Sequence, residues 1–409
     1  MRILMLAQSY APIVGGVERL VEDLSEELAG RGNEVAVATL RQPGAGGEPS
    51  RNGVTVHTLG SSTYRLPGAG LDSERRHAPP APDPETVLDL HRLLRRERPD
   101  VVHAHNWLIH SYLPLNRPSG PPLVLSMHDY GLVCATKRFL NKGAACSGPE
   151  MVKCIRCAGD YYSPAKGAGV ALLTRLSERR VRRNVDVFLP VSTAVRDLCG
   201  FEADERCRVV PNLIRELPPA PPAGDPRLAR LPQEPFILYV GDVTIDKGAA
   251  SLADAYRSLD NPPPLVLIGR CFLEEVASLP GVVAMGPMPH AYAIEALRRS
   301  LFTVAPSILP ETFGLAALET AAAGKPIVAS DIGGLSDVVV DDETGLLVPA
   351  GDREALGAAM ARLLADAELR ERLGQAARLR AAEFSPDAVV PQFEQAYEFA
   401  LRARGRSAA

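Results

Sequence analysis

Two carboxylates, Glu311 and Glu319, stand eight residues apart in the run Pro306-Ser307-Ile308-Leu309-Pro310-Glu311-Thr312-Phe313-Gly314-Leu315-Ala316-Ala317-Leu318-Glu319, which Ala323-Gly324-Lys325-Pro326 closes. Thr312 is the expected cap of a helix carried by Leu315, Leu318 and the alanines, and Gly324 with Pro326 stops it. Glu311 then lies just ahead of the helix and Glu319 about two turns inside, where both can face one small polar ligand. A helix with two surface acids fits this segment about equally well, so the other reactive residues must decide.

Several of those stand where an apolar run gives way to a helical pattern. Gly15-Gly16 precede a helix expected near Val17; paired glycines let backbone N–H groups approach an anion or a sugar, although an ordinary tight turn fits too. His128-Asp129 follow an apolar run, and His128 reads either as a group that handles a substrate hydroxyl or as a packed histidine held by Asp129. His103 and His105 read as structural. In the second half, Gly241 opens a turn that ends Asp246-Lys247-Gly248 before a helix, where a lysine at the positive end of the helix dipole suits a diphosphate. Gly269-Arg270 repeat the pairing of glycine and base.

The elements that must position these residues alternate along 409 residues. Short apolar runs at 3–7, 34–40, 54–59, 101–105, 123–127 and 187–190, then 236–241, 265–269, 282–285, 302–305, 327–330 and 346–348, are separated by helical patterns. Most are continuous rather than alternating, as strands covered on both faces are. The expected fold class is α/β: two Rossmann-like, doubly wound parallel-sheet domains facing a central cleft. The expected domains are 1–211, a proline-rich linker 212–234, a second domain 235–385, and a C-terminal helix 386–409 whose face of Val390, Phe393, Ala396, Tyr397 and Ala400 needs an apolar partner, with the first domain as the candidate. Residues 41–51 and 60–84 read as surface loops.

A hydrophobic content of 46%, 23% charged residues and a net charge of −4 describe a globular chain and disfavour a dedicated nucleic-acid binder. No apolar run reaches membrane-spanning length. Residues 1–7 read as a buried strand rather than a secretory leader, which leads to the expectation of a cytoplasmic protein. Arg175, Arg179, Arg180, Arg182 and Arg183 crowd one helical stretch; a solvated face is one reading, and contact with anionic lipid at the inner face of a membrane or with a phosphorylated acceptor is the other. Of seven cysteines, Cys134, Cys146, Cys154 and Cys157 fall close together and form a candidate structural zinc site, with reduced thiols as the alternative.

The segment 241–248, the Glu311-x7-Glu319 run, Ser330-Asp331-Ile332-Gly333-Gly334 and Thr344-Gly345-Leu346-Leu347-Val348 together resemble the retaining nucleotide-sugar glycosyltransferases of the GT-B fold, family 4. The first half agrees through Gly15-Gly16, Asp100-Val101-Val102-His103-Ala104-His105, His128-Asp129, Val191-Ser192 and Val210-Pro211-Asn212. The resemblance implies that Glu319 holds the nucleotide ribose and that Glu311 faces the donor sugar. It implies that Lys247 neutralises the leaving diphosphate with amides near Gly15, Gly16, Phe313, Gly314 and Leu315, and that His128 lies near the donor sugar and acceptor. Gly241 and Arg270 complete the expected donor site. The implied partners are a UDP- or GDP-sugar and a glycan, lipid-linked or small-molecule acceptor. No cofactor is implied for catalysis, and the sequence holds no Asp-x-Asp.

One position departs from the pattern. Asp242 stands where the family usually carries an arginine that contacts the diphosphate, and Arg270 is the candidate substitute. Asp242 keeps open a nucleotide-sugar-binding partner without turnover, and a sugar-nucleotide epimerase on the same fold is a further alternative.

Overall fold

The computed structural model describes residues 1–11, 15–42, 50–65, 78–222 and 224–405. Two compact units emerge, one comprising 1–139, 147–213 and 386–409, the other 140–146 and 214–385.

The first unit is built on strands β1 (Arg2–Ala7), β2 (Glu34–Leu40), β3 (Ser50–Arg51), β4 (Val54–Leu59), β5 (Val101–His105) and β6 (Leu123–Met127). The sheet is completed by β9 (Val187–Pro190), reached after a two-stranded hairpin, β7 (Leu140–Asn141) with β8 (Ala144–Ala145), that is grouped with the second unit. Its order is β3-β4-β2-β1-β5-β6-β9, parallel except for the β3–β4 edge. A core of Ile3, Met5, Leu20, Leu24, Val37 and Val124 joins sheet to helix. The helix Pro386–Ala403 belongs to this core, with Val389, Phe393, Tyr397 and Ala400 buried in it. The chain leaves this unit after Leu213 and returns at Pro386, a long excursion whose closure entropy grows only slowly with length.

The second unit holds β10 (Ile237–Val240), β11 (Leu265–Ile268), β12 (Val282–Gly286), β13 (Phe302–Ala305), β14 (Ile327–Ser330) and β15 (Leu346–Val348), all parallel, in the order β12-β11-β10-β13-β14-β15. Successive residues of β10 face opposite cores: Ile237 and Tyr239 join Leu252, Phe302 and Met360, whereas Leu238 joins Val266, Ile294 and Leu297. That is the period-two alternation of a sheet covered by helices on both faces.

All twelve expected strands form, within one or two residues at their ends. The β3 edge strand and the β7–β8 hairpin are additions, each only two residues per strand and so too short for a periodic signal. The loops expected at 41–51 and 60–84 fall partly outside the described residues; within them, Ser62–Arg65 is a 3-10 turn and Pro84 opens a helix.

Candidate functional site

In the second unit, the charged residues gather at the carboxyl ends of β10 and β13, where open α/β sheets bind ligands. Glu311 accepts hydrogen bonds at one carboxylate oxygen from Lys247 Nζ at 2.6 Å and Ser307 Oγ at 2.5 Å. The two loops that carry this pair are bound together: the Asp246 carbonyl accepts from the amides of Ile308 and Leu309. Gly248, in the left-handed region at φ 75°, brings its backbone against the Pro306 carbonyl; a Cβ there would meet that oxygen well inside contact distance. The turn 241–248 and the run 306–311 thus form one rigid edge. Behind Glu311, its carbonyl accepts from the Gly334 amide at 2.6 Å, and Gly333 at φ 63° leaves no room for a Cβ.

The helix that follows runs Leu315–Ala322, capped by Gly314 at φ 99°. Two expectations are corrected here. Thr312 is not the cap, because a left-handed residue is needed and glycine meets that need two positions later. Glu319 is the fifth helical residue, just over one turn inside rather than two. Phe313 is buried and anchors the turn. Glu319 receives a hydrogen bond at 2.7 Å from Nε2 of His290, the first residue of the helix His290–Arg299.

Asp242 and Arg270 face each other at the ends of β10 and β11. Arg270 Nη2 reaches one carboxylate oxygen at 2.8 Å, while its Nε and backbone amide approach the other at 3.3 Å. The bidentate fork fixes the guanidinium in one plane. Tyr239 donates to the Asp242 carbonyl at 2.8 Å, and burial, with the nearby Glu311 and Asp242, pushes its phenol well above the ordinary value.

The first unit assembles a different set. His105 ends β5 and His128 follows β6; His105 Nδ1 and His128 Nε2 lie 2.9 Å apart with nearly parallel rings. His103 is bonded on both sides, at 2.8 Å to the Tyr397 hydroxyl and 2.8 Å to Ser126 Oγ. All three rings are buried, and burial holds them neutral: His128 is pushed down to about 4 and His103 to about 3, with His105 lowered too. The outer nitrogens, His105 Nε2 and His128 Nδ1, are buried and have no partner among the described residues. Asp129 does not hold His128 in place. Its carboxylate takes the Gly131 amide at 2.7 Å and Lys137 at 3.5 Å, and Lys137 in turn lies over Trp107. Gly15 caps the helix Gly16–Gly30 in extended backbone, one residue earlier than expected, since glycine itself serves as the first helical residue.

The four candidate cysteines are carried by three segments. Cys134 lies in the loop after β6 with its sulfur 3.4 Å from Thr136 Oγ1, Cys146 follows β8, and Cys154 and Cys157 are on the helix Met151–Tyr161. Among the described residues no group of three or more His, Cys, Asp or Glu side chains is placed to hold a metal ion.

Sequence reasoning missed Ser307 and His290, the groups that hold the two glutamates. His290 stands just beyond β12, so inspection of every strand end would have found it; Ser307 is a short side chain inside the run already singled out.

Two doubly wound parallel-sheet units of this kind are the GT-B architecture of the glycosyltransferases. The model "Glycosyl transferases group 1" matches residues 225–380, and "Glycosyl transferase 4-like domain" matches residues 15–213. The chain belongs to the GT-B glycosyltransferases of the family 4 type. Over 438 residues it is 27% identical to a glycogen synthase of Mycobacterium tuberculosis, covering 98% of this chain and 95% of the relative. It is 28% identical over 453 residues to a D-inositol 3-phosphate glycosyltransferase of Acidothermus cellulolyticus, covering 100% of this chain and 92% of the relative. The fold is similar to that of sucrose-phosphate synthase from Thermosynechococcus elongatus, with a TM-score of 0.74, 22% identity, and coverage of 98% of this chain and 99% of that one.

Proposed function

We propose that this glycosyltransferase moves a sugar from a nucleotide-diphosphate donor, UDP- or GDP-sugar foremost, to a hydroxyl of a glycan, lipid-linked or small-molecule acceptor, with retention at the anomeric carbon and without a divalent metal. The observation that carries the reading is the Lys247–Glu311 pair at 2.6 Å on the edge formed by 241–248 and 306–311. On donor binding Lys247 exchanges the carboxylate for the leaving diphosphate, and Glu311 is released to accept from sugar hydroxyls. Glu319, already oriented by His290, accepts from the ribose. The amides at the start of the helix Leu315–Ala322 add fixed dipoles aimed at the developing negative charge, which is where electrostatic stabilisation lowers the barrier. The bond between the anomeric carbon and the diphosphate oxygen breaks as the acceptor oxygen attacks the same face, and the acceptor proton leaves on the departing phosphate. His128, neutral at pH 7, serves as a hydrogen-bonding group on the acceptor side rather than as a charged acid.

Asp242 favours a second reading, a nucleotide-sugar binder without turnover, because an anion beside the diphosphate opposes departure. Its carboxylate is engaged by Arg270, which weighs toward the enzyme. A thermal-shift screen of UDP-, GDP- and ADP-sugars identifies the donor by mass-action stabilisation. The stabilising donor is then incubated with EDTA and candidate acceptors, and the anomeric signal of the product is read by proton NMR. An axial product from an axial donor supports the proposal. Inversion, strict metal dependence, or stabilisation with neither transfer nor donor hydrolysis would sink the corresponding part of it.

A further inference from the structure

The helix Pro164–Asn184 packs against the helix Met151–Tyr161 through its smallest residues. Gly167 lies so close to the backbone of Ala158 that a Cβ would collide with its carbonyl, and Ala158 and Ala171 form the buried seam. The large apolar residues point the other way. Leu172, Leu173 and Leu176 are 48%, 40% and 62% exposed, and on the partner helix Met151, Val152 and Tyr161 are exposed as well. Folding alone places leucine inside and alanine outside, so an inverted helical hairpin has an apolar surface left to bury.

Charge says what buries it. At 100° per residue Leu172, Leu176, Arg179, Arg180 and Arg183 share one exposed sector of the longer helix, leucines in its first half and arginines in its second. The single acid of that helix, Glu178, is buried and held by Arg175 at 2.6 Å and Arg182 at 3.0 Å. Among the described residues the side chains of Arg179, Arg180 and Arg183 make no hydrogen bond or ion pair, so three cations stand unneutralised beyond the leucines. No described helix is long and apolar enough to cross a membrane. We infer that this face docks the first unit onto an anionic lipid bilayer, the leucines entering the boundary between headgroups and acyl chains and the arginines meeting lipid phosphates. The opposite side of the same helix carries Val181, which lines a small cavity with His128 and Asp129, so docking would hold the acceptor-side residues close to the lipid surface.

The inference is independent of donor and turnover and is tested by co-sedimentation of the full chain with vesicles. The chain is expected to pellet with mixed phosphatidylglycerol and phosphatidylcholine vesicles and not with phosphatidylcholine alone. Joint Arg179→Glu, Arg180→Glu and Arg183→Glu is expected to weaken binding by at least about 100-fold, from about fivefold for each basic residue lost. Joint Leu172→Ser and Leu176→Ser is expected to weaken it roughly tenfold, with melting temperatures checked to confirm folding. Wild-type protein that stays in the supernatant, or binding undiminished in the arginine variant, would overturn the inference. Serine variants that bind as tightly as wild type would also overturn it, leaving only a basic patch.

Discussion

The polar residues of the two units are prepared in opposite ways. In the second unit every expected ligand group is exposed enough to exchange partners and is already paired: Lys247 with Glu311, His290 with Glu319, Arg270 with Asp242. In the first unit His103, His105 and His128 are buried and neutral, His105 bonded to His128 and His103 to Tyr397 and Ser126, with two ring nitrogens left without a partner among the described residues. The difference teaches that charge can be stored ready for a charged ligand only where water or a counter-ion holds it, whereas a buried site is limited to neutral hydrogen bonding.

Acid is expected to break this contrast most strongly. His128 has a folded value near 4 against 6.5 for the free group, so below about 6.5 the unfolded chain takes up protons that the folded first unit refuses. Stability is therefore complete above pH 6.5 and falls as pH drops toward 4, by roughly 3 kcal/mol for this one group. Trp107, the single tryptophan, is buried in the same unit and reports it selectively. Its urea midpoint should fall steadily from pH 7.5 to pH 4; a flat profile would show that the histidines are not held neutral.

Next in size, Lys247→Ala should lower transfer by about 100- to 1000-fold, the scale set by loss of one preorganised electrostatic group, with little effect on the first unit's urea midpoint. Glu319→Gln should weaken donor binding by about tenfold through loss of a charge-assisted hydrogen bond, read by calorimetry. His290→Ala should act in the same direction and more weakly, since it only positions Glu319. The smallest change is expected for Arg270→Ala, a few-fold loss of diphosphate affinity, because the pair is well exposed and screened. If Arg270→Ala instead equals Lys247→Ala in effect, the Asp242–Arg270 pair is the principal diphosphate group and the assignment of Lys247 must change.

The strands were legible because burial on both faces writes a continuous apolar run, and the placement of Glu311, Lys247 and Arg270 followed from the rule that ligands sit beyond strand ends. Helix Leu315–Ala322 shows the limit. Local propensity favoured Thr312 as its cap, but packing of Gly333 and Gly334 against residues 311–313 fixes a left-handed turn that only Gly314 accommodates. The partners of the glutamates were hidden for a related reason: His290 and Glu319 are 29 residues apart, and only the β12–α/β crossover brings them together.

The most direct test of the central claim, that Lys247 leaves Glu311 for the diphosphate, is the affinity for a nucleoside diphosphate relative to its monophosphate, measured by calorimetry in wild type and Lys247→Ala. The account predicts a clear preference for the diphosphate in wild type that nearly disappears in the variant. An equal preference in both proteins would contradict it.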